Sequence, residues 1–477
     1  MKKSIAILIA VLTVGLLIRA WITPYTSGSD IAQFAGFADT LRRRGLCFYH
    51  YADGSHHIEE GWPYSWPCPY GPLAVFLMYV ARLFAPSKVD FWWSCGWGSE
   101  CTYYVYVPVN WIIASKAVFI VFDTLSAILI YLIVLRRTSS TARALAASAL
   151  YYLNPVTIYV SVVYGMLDPV STALILLAIL FLYTDESSLR RLYIAYFIAG
   201  LVLGLAATTK PNTLFAAAAV FLVAVAKNLR RRLLVLSIVA GLVCSVLAPF
   251  IPFDVVCPGT IEIFTSILLD VGKPGYNPPI QYSFNGFTSL ATFINEKTGF
   301  DMLWLINNWW IAAALALLPA LYAVLVKKKL DFAEAAYIFY LVYTTTYWRV
   351  NYQYFAVLAG LVPLYIFLSR SSRQTKALTL IHIAYVGLWL FIFPTSWWAH
   401  VHIREPNQFI IELLDRLSMM VFAEEVYLVY SVILTVLSYS TLTAIYIDLF
   451  AKVSEETRSI VQPATHTPQL LYTESPP

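Results

Sequence analysis

Long apolar segments alternate along the chain with short polar segments that carry most of its basic residues. The basic clusters lie at residues 2–3, 136–143, 190–191, 227–232, 327–329 and 370–376. The apolar sequence between neighbouring clusters is long enough for two helices of about 20 residues, which would cross a bilayer and return. Because Lys and Arg accumulate on the cytoplasmic side, this pattern predicts that all clusters and both chain termini are cytoplasmic.

The pattern predicts an all-α polytopic membrane protein with about 12 transmembrane helices. We expect the spans at 4–22, 108–135, 143–161, 164–183, 193–209, 211–226, 233–250, 302–326, 332–348, 352–369, 376–393 and 424–450. The apolar run from Leu73 to Phe84 is short for a bilayer crossing, so we predict an interfacial helix there.

Three polar segments fall on the outside in this topology, at 24–107, 251–301 and 394–423. The first is long, and loops longer than about 15 residues usually carry function. The spans divide into an N-terminal module (1–250) and a C-terminal module (251–450). Residues 451–477 are rich in Ser, Thr, Pro and Glu, which predicts a disordered cytoplasmic tail.

Composition supports the membrane assignment. The 477 residues are 60% hydrophobic and 12% charged, whereas a soluble domain has about 25% charged residues. The formal net charge of +5 reflects the cytoplasmic clusters, and we expect membrane lipids as partners and no nucleic acid. Arg42-Arg43-Arg44 fall in the first outer loop, against the topology rule, so they either face lipid headgroups on an interfacial helix or are solvated.

Four of the six cysteines lie in the first outer loop: Cys47, Cys68, Cys95 and Cys101. Thiols on the oxidising side of a membrane predict two disulfides, although four cysteines allow three pairings. The histidines of the same loop leave a zinc site as the alternative, but the sequence has no Cys-x2-Cys spacing.

Ionisable residues outside the cytoplasmic clusters concentrate near the outer membrane edge. Asp30, Asp168, Lys210 and Arg349 all fall at this depth. Ionisable groups in membrane segments usually mark function, so we predict a polar cavity at the outer interface. Lys116 and Asp123 are exceptions that fall inside a span, seven residues apart on one helix face. They keep a transporter or flippase as an alternative, unless they partly satisfy each other.

Several stretches, taken in order, resemble the integral-membrane GT-C glycosyltransferases, especially GPI mannosyltransferase-type enzymes and their prokaryotic relatives. The stretches are an acid after the first span (Asp30), Pro69-Tyr70-Gly71-Pro72-Leu73, Tyr151 to Asp168, Gly200 to Pro211, and Arg349-Val350-Asn351-Tyr352-Gln353-Tyr354. The resemblance covers roughly residues 1–230 in order and 345–365 weakly.

The resemblance implies an inverting transfer of a hexose, in the first instance mannose, from a polyprenyl- or dolichyl-phosphate donor to a lipid-linked saccharide or glycan. Asp30 would be the catalytic base, with a helix N-cap as the alternative role. Tyr164 and Asp168 would bind sugar or acceptor, and a helix start is the alternative for Asp168.

The same resemblance implies contacts to the phosphate from Arg349, Gln353 and Lys210, although Lys210 could instead snorkel to the interface. Asn285, in the second outer loop, would contact the sugar. The active site would lie on the extracytoplasmic side of the plasma membrane.

Family members often carry a paired Asp-x-Asp or Asp-Glu in the first loop, whereas here Asp30 is followed by Ile31-Ala32. A divalent metal such as Mg²⁺ or Mn²⁺ is therefore left open, with no metal ligands assigned. The single acid also keeps a non-catalytic subunit of a glycosyltransferase complex as an alternative.

Overall fold

The computed structural model describes residues 2–95, 101–184, 188–274, 284–327, 330–394 and 408–461. The first span is α1 (Lys2–Ile22), which a short 3₁₀ turn (Thr23–Tyr25) joins to α2 (Ser29–Arg44). A second 3₁₀ turn (Gly45–Tyr51) and an irregular stretch lead to α3 (Pro72–Phe84). The helix predicted at Leu73–Phe84 is thus present.

The first loop also contains strands, which an all-α prediction missed. The strands β1 (Asp90–Cys95) and β2 (Cys101–Tyr106) pair antiparallel, with Asp90 opposite Tyr106 and Cys95 opposite Cys101. Alternating aromatic residues favour strands because their side chains pack on a pleated surface. Trp92 and Tyr104 are cross-strand partners whose rings stack with centroids 5.7 Å apart.

The middle of the chain is a series of helices. They are α4 (Val109–Thr138), α5 (Thr141–Tyr152), α6 (Pro155–Ile158) continued by a π turn (Tyr159–Tyr164), α7 (Asp168–Leu182), α8 (Leu189–Thr209), a 3₁₀ turn (Pro211–Thr213), α9 (Leu214–Asn228) and α10 (Arg232–Leu247). The segment predicted as one span at 143–161 is broken at Pro155 and bends by 45°, because proline removes a backbone donor and restricts the residue before it.

The rest of the chain is also helical where it is described. Its elements are α11 (Ile251–Val256), α12 (Thr260–Gly272), α13 (Phe287–Thr298), α14 (Leu303–Asn307), α15 (Trp309–Leu325), α16 (Phe332–Thr346), a 3₁₀ turn (Tyr352–Tyr354), α17 (Phe355–Leu368), α18 (Arg373–Gly387), α19 (Trp389–Ile392), α20 (Gln408–Met419) and α21 (Glu424–Val461). The last helix continues to Val461, past the predicted start of a disordered tail.

Six of the described helices are long and apolar enough to cross a membrane, or seven if the bent α5–α6 pair counts as one span. The chain is therefore a multi-pass membrane protein, and every predicted span coincides with helical structure. Several of those helices, such as α7 and α17, are shorter than a bilayer crossing requires. The predicted number of about 12 spans stays a prediction.

One buried core runs through both predicted modules. Helix α17 packs on α4, α5 and α7, and α16 packs on α9, so helices from beyond residue 250 complete the bundle formed before it. Helices α8 and α10 pack closely, since a Cβ atom added at Gly200 would lie 2.1 Å from the carbonyl oxygen of Ile238. Small residues permit such close contact between membrane helices.

Candidate active site

The turn between α1 and α2 carries Asp30 and is fixed by its contact with the end of the π turn. The backbone N–H of Gly28 donates to the carbonyl oxygen of Tyr164 at 2.9 Å. A Cβ atom at Gly28 would lie 2.4 Å from that oxygen, so the contact requires glycine. Gly28 is also the N-cap position of α2, which has no side-chain cap bond. The N-cap alternative for Asp30 is therefore wrong.

Asp30 is partly buried and interacts with three of the residues predicted to share its site. The Tyr164 hydroxyl hydrogen-bonds to its carboxyl group, and the charges of Lys210 and Asp168 act on it. Burial raises the pKa of Asp30 above its usual value, although Lys210 and the Tyr164 hydrogen bond oppose the shift. Within the described part of the chain, Asp30 forms no ion pair. A carboxyl group with a raised pKa is suited to accept a proton near neutral pH.

Asp168, the first residue of α7, lies in a different electrostatic setting. Its side chain is fully buried, and Lys210 Nζ lies 3.1 Å from its Oδ2. The side-chain amide of Asn212 donates to its Oδ1 at 3.3 Å. Helix α7 begins at Asp168 with Pro169 next, and its N-cap position is Leu167, so the helix start predicted as the alternative role of Asp168 is confirmed and does not exclude a contact to substrate. Lys210 is only 4% exposed, which also rules out the snorkelling alternative.

Lys116 ties together the two turns that precede these acids. It is completely buried in α4, and its ammonium group donates to the backbone carbonyls of Thr23, Thr26 and Val162. The Thr26 hydroxyl in turn donates to the Val162 carbonyl at 2.9 Å. The segment before Asp30 and the π turn that ends at Tyr164 therefore share one cation.

The ring of Tyr70 lies near Lys210 and interacts with Asp30 and Asp168. The backbone N–H of Gly71 donates to the Thr208 carbonyl at 2.7 Å, which fixes this loop against the end of α8. Lys210 Nζ then lies 5.5 Å from the centre of the Tyr70 ring, within cation–π range. Burial raises the pKa of Tyr70, and the negative charges of Asp30 and Asp168 add to this shift. Tyr70 belongs to a motif noted in the sequence but was not predicted as a site residue.

A hydrogen-bonded path links this group to the turn before α17. Asn212 donates to the Tyr340 hydroxyl at 3.1 Å, and that hydroxyl donates to the Tyr354 carbonyl at 3.0 Å. The charges of Asp168 and Arg349 both act on Tyr354. Sequence reasoning missed Asn212, although it follows the Lys210-Pro211 motif directly. It also missed Tyr340, because nothing in the apolar pattern of α16 distinguishes that tyrosine from its neighbours.

Arg349 has unused hydrogen-bonding capacity in this turn. Its Nε is buried and has no hydrogen-bond partner among the described residues, and the same holds for Asn351 Oδ1 and Asn212 Oδ1. Buried polar atoms are almost always paired, so such exceptions need an explanation. A bound anion with hydroxyl groups, such as a sugar phosphate, would supply both acceptors and donors. Gln353, half-buried, lies in the same turn.

Asn285 lies among different partners. It is fully buried, its amide donates to the Thr344 carbonyl at 2.6 Å, and its Oδ1 accepts from Ser438 at 3.0 Å. These bonds connect α16 with α21, and they use both the amide nitrogen and the oxygen of the Asn285 side chain. A contact to the sugar stays a prediction. Arg404, which the sequence places near the outer membrane edge with His400 and His402 as a further candidate for the phosphate, lies outside the described residues.

The disulfide differs from the prediction. Cys47 bonds to Cys257, which joins the first polar loop to the turn after α11, whereas we expected pairing within the first loop. Cys68 is a buried free thiol whose pKa burial raises to about 12. The side chains of Cys95 and Cys101 lie outside what the structure describes, although their backbones face each other in the hairpin.

The three consecutive arginines of the first loop are exposed, and two of them also bind a buried acid. Arg43 and Arg44 form ion pairs with the buried Glu60 at 2.8 and 2.9 Å. Burial disfavours the charged carboxylate, but the hydrogen bonds from both arginines outweigh this and lower the pKa of Glu60. Two positive charges are thus fixed to one acid that sequence reasoning did not consider.

The ionisable residues inside the spans do not satisfy each other as expected. Asp123 pairs with Arg19 at 2.9 Å and accepts from the Tyr151 hydroxyl at 2.7 Å, while Lys116 binds carbonyl groups. Each charge therefore has protein partners, as buried charges require. These contacts account for the buried charges of α4 among the described residues, so the charges alone give no support to the transporter alternative.

Nor do the acids fit a divalent metal. Among the described residues, no group of three or more His, Cys, Asp or Glu side chains could hold one, and the ammonium group of Lys210 occupies the position beside Asp168. We therefore derive no catalytic step through a metal.

A family model described as glycosyltransferase family 87 matches residues 101–346, just over half of the sequence. The chain belongs to glycosyltransferase family 87. This family is of the GT-C type, so the resemblance to GT-C glycosyltransferases is confirmed, and this family 87 protein is a membrane glycosyltransferase. The matched segment includes Asp168 and Lys210, whereas Asp30 and Arg349 lie outside it.

No curated protein matches the family 87 chain. Among solved structures, it is similar to ArnT from Cupriavidus metallidurans bound to undecaprenyl phosphate, with 13% identity and a TM-score of 0.41 over 92% of this chain and 77% of that one. It is also similar to the Archaeoglobus fulgidus oligosaccharyltransferase in its apo form, with 11% identity and a TM-score of 0.41 over 90% of this chain and 55% of that one. Because these identities and TM-scores are low, the chain is classified by the family match and not by the solved structures.

Proposed function

We propose that this family 87 protein transfers a hexose, in the first instance mannose, from a polyprenyl-phosphate carrier to a lipid-linked saccharide or glycan, with inversion. The acceptor hydroxyl oxygen attacks the anomeric carbon while the bond from that carbon to the phosphate oxygen breaks. The hydroxyl proton passes to Asp30, and the carrier phosphate leaves with the bonding electron pair. The reaction would take place at the extracytoplasmic membrane face.

The difference between the two acids carries this proposal. Asp168 is neutralised by Lys210 at 3.1 Å, so it is poorly placed to take up a further proton. Asp30 forms no ion pair with the described residues, is partly exposed, and is oriented by the Tyr164 hydroxyl. A general base must reach the proton it removes and must be able to hold it. Of the two, Asp30 meets both conditions.

Arg349 is the proposed partner of the departing phosphate. Its buried Nε lacks a hydrogen-bond partner within the described structure, and a guanidinium group binds phosphate oxygens bidentately. Positive charge at the leaving group stabilises the transition state, in which negative charge grows on the phosphate. Lys210 is committed to Asp168, so we assign it to positioning Asp168 and Asn212 beside the substrate. Asp168 and Tyr70 would then contact the sugar.

The test is transfer of label from a radiolabelled polyprenyl-phosphate hexose to a crude lipid extract by detergent-purified protein. Asp30→Asn keeps the size of the side chain but removes the base, so we expect transfer to fall by about 10²- to 10⁴-fold. Asp53→Asn is the matched control, because Asp53 is an exposed acid of the same polar loop and should leave transfer unchanged.

Binding of the labelled donor separates the possible outcomes. Loss of transfer by Asp30→Asn with donor still bound supports Asp30 as the base. Transfer at the wild-type rate by Asp30→Asn would show that another group takes the proton. Donor binding without transfer by the wild type, across several acceptor extracts, would instead favour a non-catalytic subunit.

A further inference from the structure

A cavity of about 510 Å³ lies between the start of α8 and the turn from α9 to α10. It is lined by Leu189, Leu192, Tyr193, Arg230, Arg231, Arg232, Leu233 and Leu234. The proposed reaction does not use this cavity. Helix α8 separates the two regions, because the cavity adjoins its first turn and Lys210 follows its last. At about 1.5 Å per residue, the 21 residues of α8 span about 30 Å.

The lining has two chemical halves. Three consecutive arginines form one side, and all three are exposed. Leucine side chains form the other, and Leu189 and Leu233 are each 60% exposed. Exposed leucines beside exposed arginines at the end of membrane helices place this cavity at a boundary between hydrocarbon and water. Its ligand should therefore be amphiphilic, with an anionic head.

A phospholipid has this combination of groups. Guanidinium groups bind phosphate oxygens with two parallel hydrogen bonds, and basic pockets between membrane helices bind anionic lipid headgroups. The apolar side of the cavity would hold the first carbons of the acyl chains. A free phosphate ion would use the arginines but leave the leucine side in water, so charge and apolar surface together favour a lipid.

We propose that the cavity between α8 and α10 is a binding site for the headgroup of an anionic phospholipid. The site lies at the end of α8 opposite the proposed active site. The headgroup would contact the arginines at the start of α10, and the acyl chains would contact the leucines of α8 and α10. Because the lipid binds the folded protein, it stabilises that state by mass action. This proposal is independent of the transferase reaction.

The test measures the Tm of the detergent-solubilised full chain during titration with phosphatidylglycerol, phosphatidylcholine or inorganic phosphate. Arg230→Gln/Arg232→Gln removes two cavity charges and leaves Arg231, which has contacts of its own. Arg370→Gln/Arg373→Gln is the matched control, because it removes the same charge from a different basic cluster. The Tm without lipid shows that each variant is folded.

We expect phosphatidylglycerol to raise the Tm of the wild type and of the control variant, and the cavity variant to lose this shift. Phosphatidylcholine and inorganic phosphate should have no such effect on any of the three proteins. An equal shift in the cavity variant would overturn the site, because the lipid would then bind elsewhere. A shift with inorganic phosphate as large as that with phosphatidylglycerol would overturn the lipid, since the anion alone would suffice.

Discussion

Two groups of buried charges lie in the same helical bundle and differ in how completely they are satisfied. In the inner group, Asp123 receives hydrogen bonds from Arg19 and from Tyr151, and Arg19 also donates to the Tyr152 carbonyl at 2.8 Å. In the candidate active site, Arg349 Nε and Asn351 Oδ1 have no hydrogen-bond partner among the described residues.

The difference separates packing from function. A buried charge that has all its partners holds helices together. Removing one partner leaves the other charge buried without compensation, which costs free energy. Polar atoms left without partners cost free energy in the protein alone. Such a cost is understandable where a substrate completes the hydrogen bonds. We call the active-site residues Arg349 and Asn351 the outer group. Changes in the inner group should lower stability, and changes in the outer group should lower transfer.

The largest expected effect is on stability. Asp123→Ala leaves the Arg19 guanidinium buried without its counter-ion, so the free energy of unfolding should fall by about 3–5 kcal/mol. Thermal unfolding in detergent measures this loss, and Asp30→Asn serves as the comparison because its acid has no ion-pair partner in the described structure. Equal destabilisation by the two variants would remove the distinction between the groups.

Arg349→Gln tests the outer group directly. Removing the charge opposite the leaving phosphate should lower transfer by about 10²- to 10³-fold, while the Tm stays close to that of the wild type. Rates with saturating donor measure the first effect, and thermal unfolding measures the second. A large fall in Tm with the same loss of rate would assign Arg349 to the inner, structural type.

Lys116 falls between the two groups, because it is fully buried and yet fixes the turns that carry Asp30 and Tyr164. Lys116→Met should lower kcat by roughly 10- to 100-fold through misplacement of these groups, with a smaller change in KM for the donor. The pH profile provides a readout beyond stability, since loosening of the Tyr164 hydrogen bond would raise the pKa of Asp30. An unchanged pH profile would reduce Lys116 to a structural role.

The smallest effect is a shift in pH dependence. Burial raises the pKa of Asp30. The transfer rate should therefore rise with pH as Asp30 loses its proton, and this rising limb of the pH profile should lie above the usual pKa range of a carboxyl group. The titratable and charged groups that act on Asp30, or on which it acts, are Lys210, Asp168, Tyr164, Tyr70 and Tyr64. Tyr164→Phe removes a hydrogen bond that lowers this pKa, so the limb should move to higher pH.

Stability should change with pH in the corresponding sense. Since the folded state binds the Asp30 proton more tightly than the unfolded chain does, this contribution to stability is present below the unfolded pKa and is lost as the pH rises through the folded pKa. Asp30→Asn should remove that dependence. A wild-type Tm profile identical to that of Asp30→Asn would contradict the raised pKa.

Local chemistry made much of this protein predictable. Asp30, Tyr164, Asp168 and Lys210 each follow or precede an apolar segment, so hydropathy alone gave them one depth in the membrane, and the structure brings them together. The helix at Pro72–Phe84 was likewise predictable, because its apolar run is too short to cross a bilayer. In contrast, the hairpin of β1 and β2 was missed, because its strands are only six residues long and their aromatic residues are equally typical of a membrane interface.

Pairing between distant residues was not predictable. Arg19 lies 104 positions from Asp123, and Cys47 lies 210 positions from Cys257, so local spacing gave no sign of either pair. The prediction that Lys116 and Asp123 satisfy each other rested on one helix face and ignored the helices packed against it. Tyr340 was likewise not predictable, because it reaches the site through a hydrogen bond from Asn212, which is distant in sequence.

The amino-acid sequence by itself determined that the chain enters a membrane, where its polar loops begin, and which charged residues lie near one surface, because the cost of burying charge in hydrocarbon acts on each segment separately. The tertiary structure alone decided which acid is neutralised and which remains available. Lys210 could have paired with either Asp30 or Asp168, and only the packing of α7 against α8 places it beside Asp168.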